Sequence, residues 1–192
     1  MATKLMKDGY GQVELNHVAF RRDGRVEAQS KLDETDFADM PAENGMLLVV
    51  DFSERRVKLP TAALLDANMP VALHYSTEKL YDQRAPQLKN FKVELGDAMP
   101  RLGYLAVGDK FTTNTVTLDF GTEGDDAEAG VAALEGLADA PVYGGVVEGS
   151  DGYIVLAAAT TNFHDNGPLF KVVEYTTMPD GQPAVKLQVL KA

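Results

Sequence analysis

The chain consists of short runs of β-favouring residues that alternate with turns rich in glycine, proline and aspartate. Residues 46–52 form a continuous apolar run after Asn44-Gly45, which is typical of a strand buried on both faces. Residues 111–118 are rich in Thr and Val, and both residue types favour strands. Further strand-like runs lie at residues 55–60, 71–75, 102–107, 144–147, 153–159, 170–176 and 184–190. This pattern predicts a mainly β fold, either a barrel or a sandwich.

One segment has helical rather than strand-like spacing. Within residues 125–139, Val131, Leu134 and Leu137 recur every three positions, and alanine fills several of the others. Glycines at positions 130 and 136 weaken this helix. We therefore expect one short helical insertion in the β fold.

The first forty residues are expected to form an extended arm or hairpin followed by an acidic linker. An alternating run at residues 12–20 precedes an Asp-Gly pair at 23–24, and such a pair between two runs indicates a hairpin turn. Val13, Leu15 and Phe20 share one face only if a bulge shifts the register near His17. The predicted organisation is an N-terminal arm, hairpin and linker at residues 1–40 and a β domain at residues 41–192.

Charge divides the chain in the same way. Residues 1–31 carry six Lys or Arg and four Asp or Glu, a net charge of +2, whereas the whole chain has a formal net charge of -11. The basic leader, residues 1–31, could bind a surface that the acidic remainder of the chain would not bind. Arg is favoured in interfaces because its guanidinium presents a planar fork of donors. We predict protein contact through Arg21, Arg22 and Arg25, with Lys4, Lys7 and Tyr10 as further candidates. The leader could also add a strand to the sheet edge of a neighbouring subunit.

Composition excludes several classes of function. The chain has no cysteine, which excludes disulfides, thiolate metal sites and cysteine nucleophiles. A sequence pI near 4.6 argues against sequence-independent binding to nucleic acid and against binding to anionic membranes. No window approaches the roughly 20 apolar residues of a membrane span, and no export signal is apparent, so we expect synthesis in the cytoplasm.

Motifs that would carry catalysis or bind a cofactor are absent from the sequence. The three histidines, His17, His74 and His164, lack the spacing of a zinc site, and the best polar cluster, His164-Asp165, is more typical of a turn. The acidic tract at residues 119–128 misses the spacing of a calcium loop and instead suits the start of a helix. No phosphate-binding loop or Gly-x-Ser-x-Gly elbow occurs. We therefore expect a protein that is not an enzyme and has no metal or other cofactor.

Four stretches of the chain resemble small virion proteins of tailed bacteriophages, of the kind encoded beside the major capsid protein. They are Lys7-Asp8-Gly9-Tyr10-Gly11 through Glu14-Leu15-Asn16 with Phe20-Arg21-Arg22-Asp23-Gly24-Arg25, Pro41-Ala42-Glu43-Asn44-Gly45-Met46, Arg101-Leu102-Gly103-Tyr104 through Val107-Gly108-Asp109-Lys110-Phe111-Thr112-Thr113-Asn114, and Lys171-Val172-Val173-Glu174 with Leu187-Gln188-Val189. Such proteins commonly act as decoration, or cement, proteins on the head. The resemblance implies a structural role on the capsid surface of the virion, the major capsid protein as partner, and homo-oligomers at local symmetry axes, with a trimer favoured.

Three other functions remain open from the sequence. The first is another virion component, such as a head fibre, a connector or a tail protein. The second is a carbohydrate- or ligand-binding β module, which would need exposed aromatic residues; the candidates are Tyr75, Tyr81, Tyr104, Tyr143 and Tyr153. The third is an acid-base hydrolase that uses His164 with Asp or Glu brought together by folding.

Overall fold

The computed structural model describes residues 3–76, 88–97, 99–118 and 141–192. Of these residues, 39% are in strands and 10% in helices, so the predicted mainly β fold is confirmed. The strands are β1 (Thr3–Lys4), β2 (Val13–His17), β3 (Val26–Glu27), β4 (Lys31–Leu32), β5 (Ala42–Glu43), β6 (Leu47–Asp51), β7 (Arg56–Lys58), β8 (Val71–His74), β9 (Lys92–Val93), β10 (Leu102–Gly103), β11 (Lys110–Thr113), β12 (Val116–Leu118), β13 (Tyr143–Gly145), β14 (Ile154–Ala157), β15 (Leu169–Thr177) and β16 (Pro183–Lys191). The helices are α1 (Ala19–Asp23), α2 (Ala62–Asp66) and single 3-10 turns at Leu88–Asn90 and Thr160–Asn162. The helical insertion expected at residues 125–139 lies outside the described residues.

The larger sheet curls into a half-barrel. Its strand order is β1-β12-β14-β13-β15-β16-β11-β2, so four strands separate β12 from β11. In a flat sheet the two strands would lie about 24 Å apart. They are nevertheless joined by Asn114 and Thr115 alone, which span no more than about 11 Å. Only a curled sheet satisfies both constraints.

The smaller sheet is curved for the same reason. Its six strands have the order β3-β10-β8-β6-β7-β4, yet the two outermost strands are separated in sequence only by residues 28–30. A separate two-stranded ladder pairs β5 with β9. The fold is therefore built from two curved sheets that share one core, to which Leu47 and Leu73 of the smaller sheet and Phe111 of the larger sheet belong.

Strand β6 lies between two hydrophobic cores, as its sequence predicted. All five of its residues are buried. Leu47 joins a core that includes Phe111 and Phe170, whose rings pack edge to face at 5.6 Å. Leu48 and Val50 point into a second core with Leu102 and Met46. The alternation of side chains along a strand explains why a strand between two cores is apolar at every position.

The predicted N-terminal hairpin and extended arm are not what the structure contains. Strand β2 pairs with β11 in the larger sheet, whereas β3 pairs with β10 in the smaller one. Between them, helix α1 ends at Gly24, whose φ of 70° makes it a left-handed C-cap. The Asp-Gly pair does supply the positive φ that its sequence indicates, but the following residues leave toward a different sheet. Leu5 and Phe20, at 1% and 0% exposure, belong to the core.

The structure contains a bulge near His17, the condition under which Val13, Leu15 and Phe20 could share one face. Glu14 pairs with Thr112 and His17 pairs with Lys110, so β2 uses three residue steps where β11 uses two. The extra residue bends β2 at its outer edge. This bend leads the chain directly into helix α1.

Candidate protein-contact surface

Two exposed arginines, Arg21 and Arg101, lie near Tyr75, and the exposed Arg22 and Arg25 lie beside Arg21 along the chain; these four arginines are called the basic face. Arg21 and Arg22 project from α1, and Arg25 follows its Gly24 cap. The backbone of Arg101 lies against Tyr75, whose N–H donates to the Arg101 carbonyl at 3.0 Å. Burial raises the pKa of the Tyr75 hydroxyl, and the positive charges of Arg101 and Arg21 oppose that rise. The basic face therefore joins segments that are eighty residues apart.

Phe20 holds the basic face in place. Its ring is fully buried, lies 5.0 Å from the Tyr75 ring, and covers Gly103, where a Cβ atom would overlap it. Because Arg21 follows Phe20 directly in a helix of only five residues, the position of its side chain depends on this buried ring. Glycine at position 103 is therefore required by the close approach of an aromatic ring.

The four arginines differ in how much of their charge is used within the protein. Arg22 Nε donates to Asp23 Oδ1 at 2.8 Å, and this bond raises the pKa of Arg22 and lowers that of Asp23. Arg25 Nη2 donates to the carbonyls of Tyr104 and Leu105 at 3.1 and 3.0 Å. Among the described residues, neither Arg21 nor Arg101 forms an ion pair. These two side chains are the ones most available to a partner.

The other three predicted contact residues belong to a separate region. Lys4 Nζ donates to the Tyr153 hydroxyl at 3.3 Å and lies 4.4 Å from the centre of its ring. The Lys7 backbone N–H donates to Gln182 Oε1 at 3.0 Å. Tyr10 donates its N–H to the Lys89 carbonyl at 2.5 Å, and Lys92 Nζ lies 4.9 Å from the centre of its ring. These contacts fasten the N-terminal segment to the body, so the structure divides the six candidates into two groups.

Glu43 is a buried carboxylate that anchors the same segment. It is 7% exposed, and its Oε2 accepts from the Gly11 N–H at 2.7 Å. Its Oε1 accepts from the Tyr153 hydroxyl at 2.8 Å. Burial, and then the neighbouring Glu43 charge, raise the pKa of Tyr153 well above its ordinary value. A buried Glu-Tyr pair has the residue types of an acid-base site, but both carboxylate oxygens here accept bonds that hold the fold together.

We expect Tyr153→Phe to lower the free energy of unfolding by about 1.5–3 kcal/mol, since the buried Glu43 carboxylate loses one of its two donors. Urea denaturation followed by circular dichroism measures the change. Tyr143→Phe is the matched control, because Tyr143, on β13, is only partly buried; we expect it to change stability by less than about 0.5 kcal/mol. Equal stability of the Tyr153 variant and the unmodified protein would contradict this account of Glu43.

His74 is a fully buried histidine whose two ring nitrogens both have hydrogen-bond partners. The Glu43 carbonyl can only accept, so His74 Nδ1–H donates to it at 2.8 Å. His74 Nε2 therefore accepts from the Ser76 hydroxyl at 2.8 Å, and Ser76 Oγ accepts from the Arg101 N–H at 2.8 Å. Burial lowers the pKa of His74 to about 4, so its imidazole is neutral at neutral pH. This chain of bonds also fixes the backbone of Arg101 on the basic face.

The remaining polar and aromatic candidates do not assemble into a site. His164 lies in a turn, where Asn166 N–H donates to His164 Nδ1 at 3.2 Å, and Asp66 Oδ1 lies 3.5 Å from His164 Nε2. Tyr153 is buried, and Tyr75, Tyr104 and Tyr143 are partly buried; Tyr81 and the acidic tract at residues 119–128 lie outside the described residues. Within the described part of the chain, no group of three or more His, Cys, Asp or Glu could hold a metal ion. No helix among these residues is long and apolar enough to cross a membrane.

The basic face could be predicted only in part from the sequence. Arg21, Arg22 and Arg25 form a visible local cluster, whereas Arg101 follows Pro100 in a stretch without other basic residues nearby. No protein family model, curated protein or solved structure matches this chain. The function is therefore argued from the basic face and from the resemblance of the four stretches.

Proposed function

We propose that this chain is a non-enzymatic structural protein of a tailed-bacteriophage virion that binds the outside of the capsid and stabilises it. The observation that carries the proposal is the basic face, in a protein whose formal net charge is -11. The resemblance of the four stretches to phage decoration proteins supplies the identity of the partner, the major capsid protein.

Charge distribution supports oriented docking. An acidic protein is repelled by an acidic surface except where its own cations face that surface, so the basic face selects one orientation of approach. Arg21 and Arg101 form no ion pair within the part of the chain that the structure describes, and their guanidinium forks suit carboxylates on a partner. Each contact could be modest, because many copies on one shell stabilise it together.

The use of the buried polar residues also supports a structural role. Glu43, His74 and Asp109 each bind a backbone group of a distant segment; Asp109, for example, accepts from the Ala19 N–H at 2.9 Å. Such bonds make a rigid body in which the N-terminal segment is fixed. A rigid docking face loses little conformational entropy on binding.

We expect the double variant Arg21→Glu, Arg101→Glu to weaken attachment to particles that lack this protein, raising the apparent Kd at least about tenfold. The reversal replaces two attractions with two repulsions while leaving the core unchanged. Sedimentation of particles with labelled protein measures attachment. Lys171→Glu is the matched control, because Lys171 is an exposed cation on β15; its attachment should be unchanged.

Attachment should also weaken as salt is raised, since exposed charges are screened beyond about 8 Å at physiological ionic strength. Undiminished attachment of the double variant, at unchanged thermal stability, would contradict the basic face as the docking site. Absence of attachment by the unmodified protein would contradict the capsid proposal itself. Deletion of the first thirty residues does not separate these outcomes, because it would remove Leu5 and Phe20 from the core.

A further inference from the structure

The turn between β6 and β7 presents an aromatic side chain to solvent. Phe52 is 57% exposed, although it directly follows a strand whose five residues are all buried. Ser53, Glu54 and Arg55 beside it are exposed as well. An exposed phenylalanine at the tip of a hairpin is the kind of side chain that interface hot spots use as an anchor.

This turn is held rigidly. Asp51 Oδ1 accepts from the Ser53 N–H at 3.0 Å and the Glu54 N–H at 3.2 Å. Lys58 Nζ bridges Asp51 and Glu54 at 3.1 and 2.5 Å. Hydrogen bonds from Ser53, and then from Lys58, lower the pKa of Asp51 to about 2, so this network persists at all ordinary pH values. Phe52 is thus displayed in a fixed position, which reduces the entropy that a partner must overcome.

A pocket opens beside the same turn. Its volume is about 520 Å³, within the usual range of ligand pockets, and its apolar side includes Leu95 and Met99, which are 41% and 43% exposed. Lys31 and Arg56 line it from β4 and β7. The Lys31 N–H donates to the Arg55 carbonyl at 3.1 Å, so the rim of the pocket is continuous with the turn that carries Phe52.

Charges on the turn and on the pocket rim are complementary. Arg55 on the turn forms no ion pair within the described residues, and the same is true of Asp97 on the rim. Of the other rim charges, Arg56 pairs with Glu34 at 2.9 Å and Glu94 pairs with Lys92, whereas Lys31 forms no ion pair within the described residues. Within the described residues Arg55 and Asp97 do not pair with each other, so a second molecule could bring an Arg55 guanidinium to this carboxylate.

We propose that a second copy of this chain docks here, with Phe52 of each copy filling the Leu95 and Met99 pocket of the other around a two-fold axis. In an isologous contact the same patch serves both partners, so the protruding side chain and the pocket must lie on one face. The turn that carries Phe52 and the pocket beside it meet this requirement. Arg55 of each copy then faces Asp97 of the other. The contact uses none of the arginines of the basic face, so it goes beyond capsid binding and leaves that face available.

The contact is small, so we expect a weak dimer that forms at micromolar to submillimolar concentration. Sedimentation equilibrium of the full chain from about 1 µM to about 500 µM should show a reversible monomer–dimer transition. Phe52→Ser should raise the dimer Kd by about 30-fold or more, the expected loss for a hot-spot side chain. Val107→Ser is the matched control, because Val107 is 71% exposed on a different turn; its dimer Kd should be unchanged.

A charge exchange tests the geometry independently of the Phe52 side chain. Arg55→Asp and Asp97→Arg should each weaken the dimer, and the double variant should restore it, because the pair is re-formed with opposite polarity. A monomer throughout the concentration range, a trimer, or a dimer that tolerates Phe52→Ser would each overturn the proposal. The protein could also prove strictly monomeric while Phe52→Ser abolishes attachment to particles. That result would overturn the dimer and show that the face with Phe52 and the pocket contacts the capsid.

Discussion

Replacing Phe20 with alanine should lower the free energy of unfolding by about 3–5 kcal/mol. Phe20 is fully buried, packs on Tyr75 at 5.0 Å between ring centres, and closes the space above Gly103. Removing the ring leaves a cavity between α1 and the smaller sheet, and a helix of five residues cannot hold its position without a buried side chain. Chemical denaturation gives the stability, and Phe52→Ala is the matched control. Phe52 is 57% exposed, so its loss should cost less than about 0.5 kcal/mol.

The same substitution should also weaken attachment to particles, although it leaves every arginine in place. If the truncation unfolds the chain, Phe20→Leu keeps part of the apolar volume and should give a folded protein with reduced stability and reduced attachment. Gly103→Ala approaches the same contact from the other side, because its Cβ would displace the Phe20 ring. A stable Phe20→Ala protein with unchanged attachment would show that α1 is positioned by something other than this ring.

Local sequence patterns predict the strands of this protein well and their partners poorly. The apolar run at residues 46–52 predicts a strand buried on both faces, and β6 confirms it. Residues 12–20 place Val13, Leu15 and Phe20 on one face only if a bulge occurs near His17, and the register of β2 against β11 contains that bulge. Both features depend on the period of two along a strand, which the sequence displays directly.

The prediction of an N-terminal hairpin was wrong because an Asp-Gly pair is compatible with both a hairpin turn and a helix C-cap. Asp23-Gly24 indicates a backbone with positive φ, and both a hairpin turn and a helix C-cap use that conformation. The choice is made by Phe20, whose burial beside Tyr75 and Gly103 stabilises α1 through contacts more than fifty residues away. A net charge of +2 in the first 31 residues carries no information about such contacts.

The candidate site was predicted in part for a similar reason. Three of its arginines are local in sequence, but Arg101 reaches the basic face through the bond between Tyr75 N–H and the Arg101 carbonyl. Lys4, Lys7 and Tyr10 share the leader with these arginines, yet their partners Tyr153, Gln182 and Lys89 place them elsewhere. Proximity in sequence is a weak guide to a shared surface when β1 and β2 join one sheet and β3 and β4 join another.

Acidification from about pH 6.5 to about pH 4 should destabilise the protein by about 3 kcal/mol through His74 alone. The pKa of His74 is lowered to about 4 in the folded protein by burial, whereas an unfolded chain has the ordinary value of about 6.5. Above that value both states are neutral and the full stability is present. Between the two values only the unfolded state binds the proton, so stability falls by about 1.4 kcal/mol per pH unit. Below about pH 4 both states are protonated, and this contribution to the slope ends.

Urea denaturation at a series of pH values from about pH 7.5 to about pH 4 measures this slope. Two variants show whether His74 causes it. His74→Gln should be less stable near neutral pH, since it disturbs the bonds to Glu43 and Ser76, but it should lose the slope between about pH 6.5 and about pH 4. His164→Gln is the control substitution, because His164 takes no part in the bonds to Glu43 and Ser76. The lowered pKa of Asp51 acts in a separate window, between about pH 4 and about pH 2, where its folded carboxylate is lost. If His74→Gln kept the full slope, His74 would not be its source. That result would contradict a neutral His74 imidazole that is hydrogen-bonded to Glu43 and, through Ser76, to the backbone of Arg101.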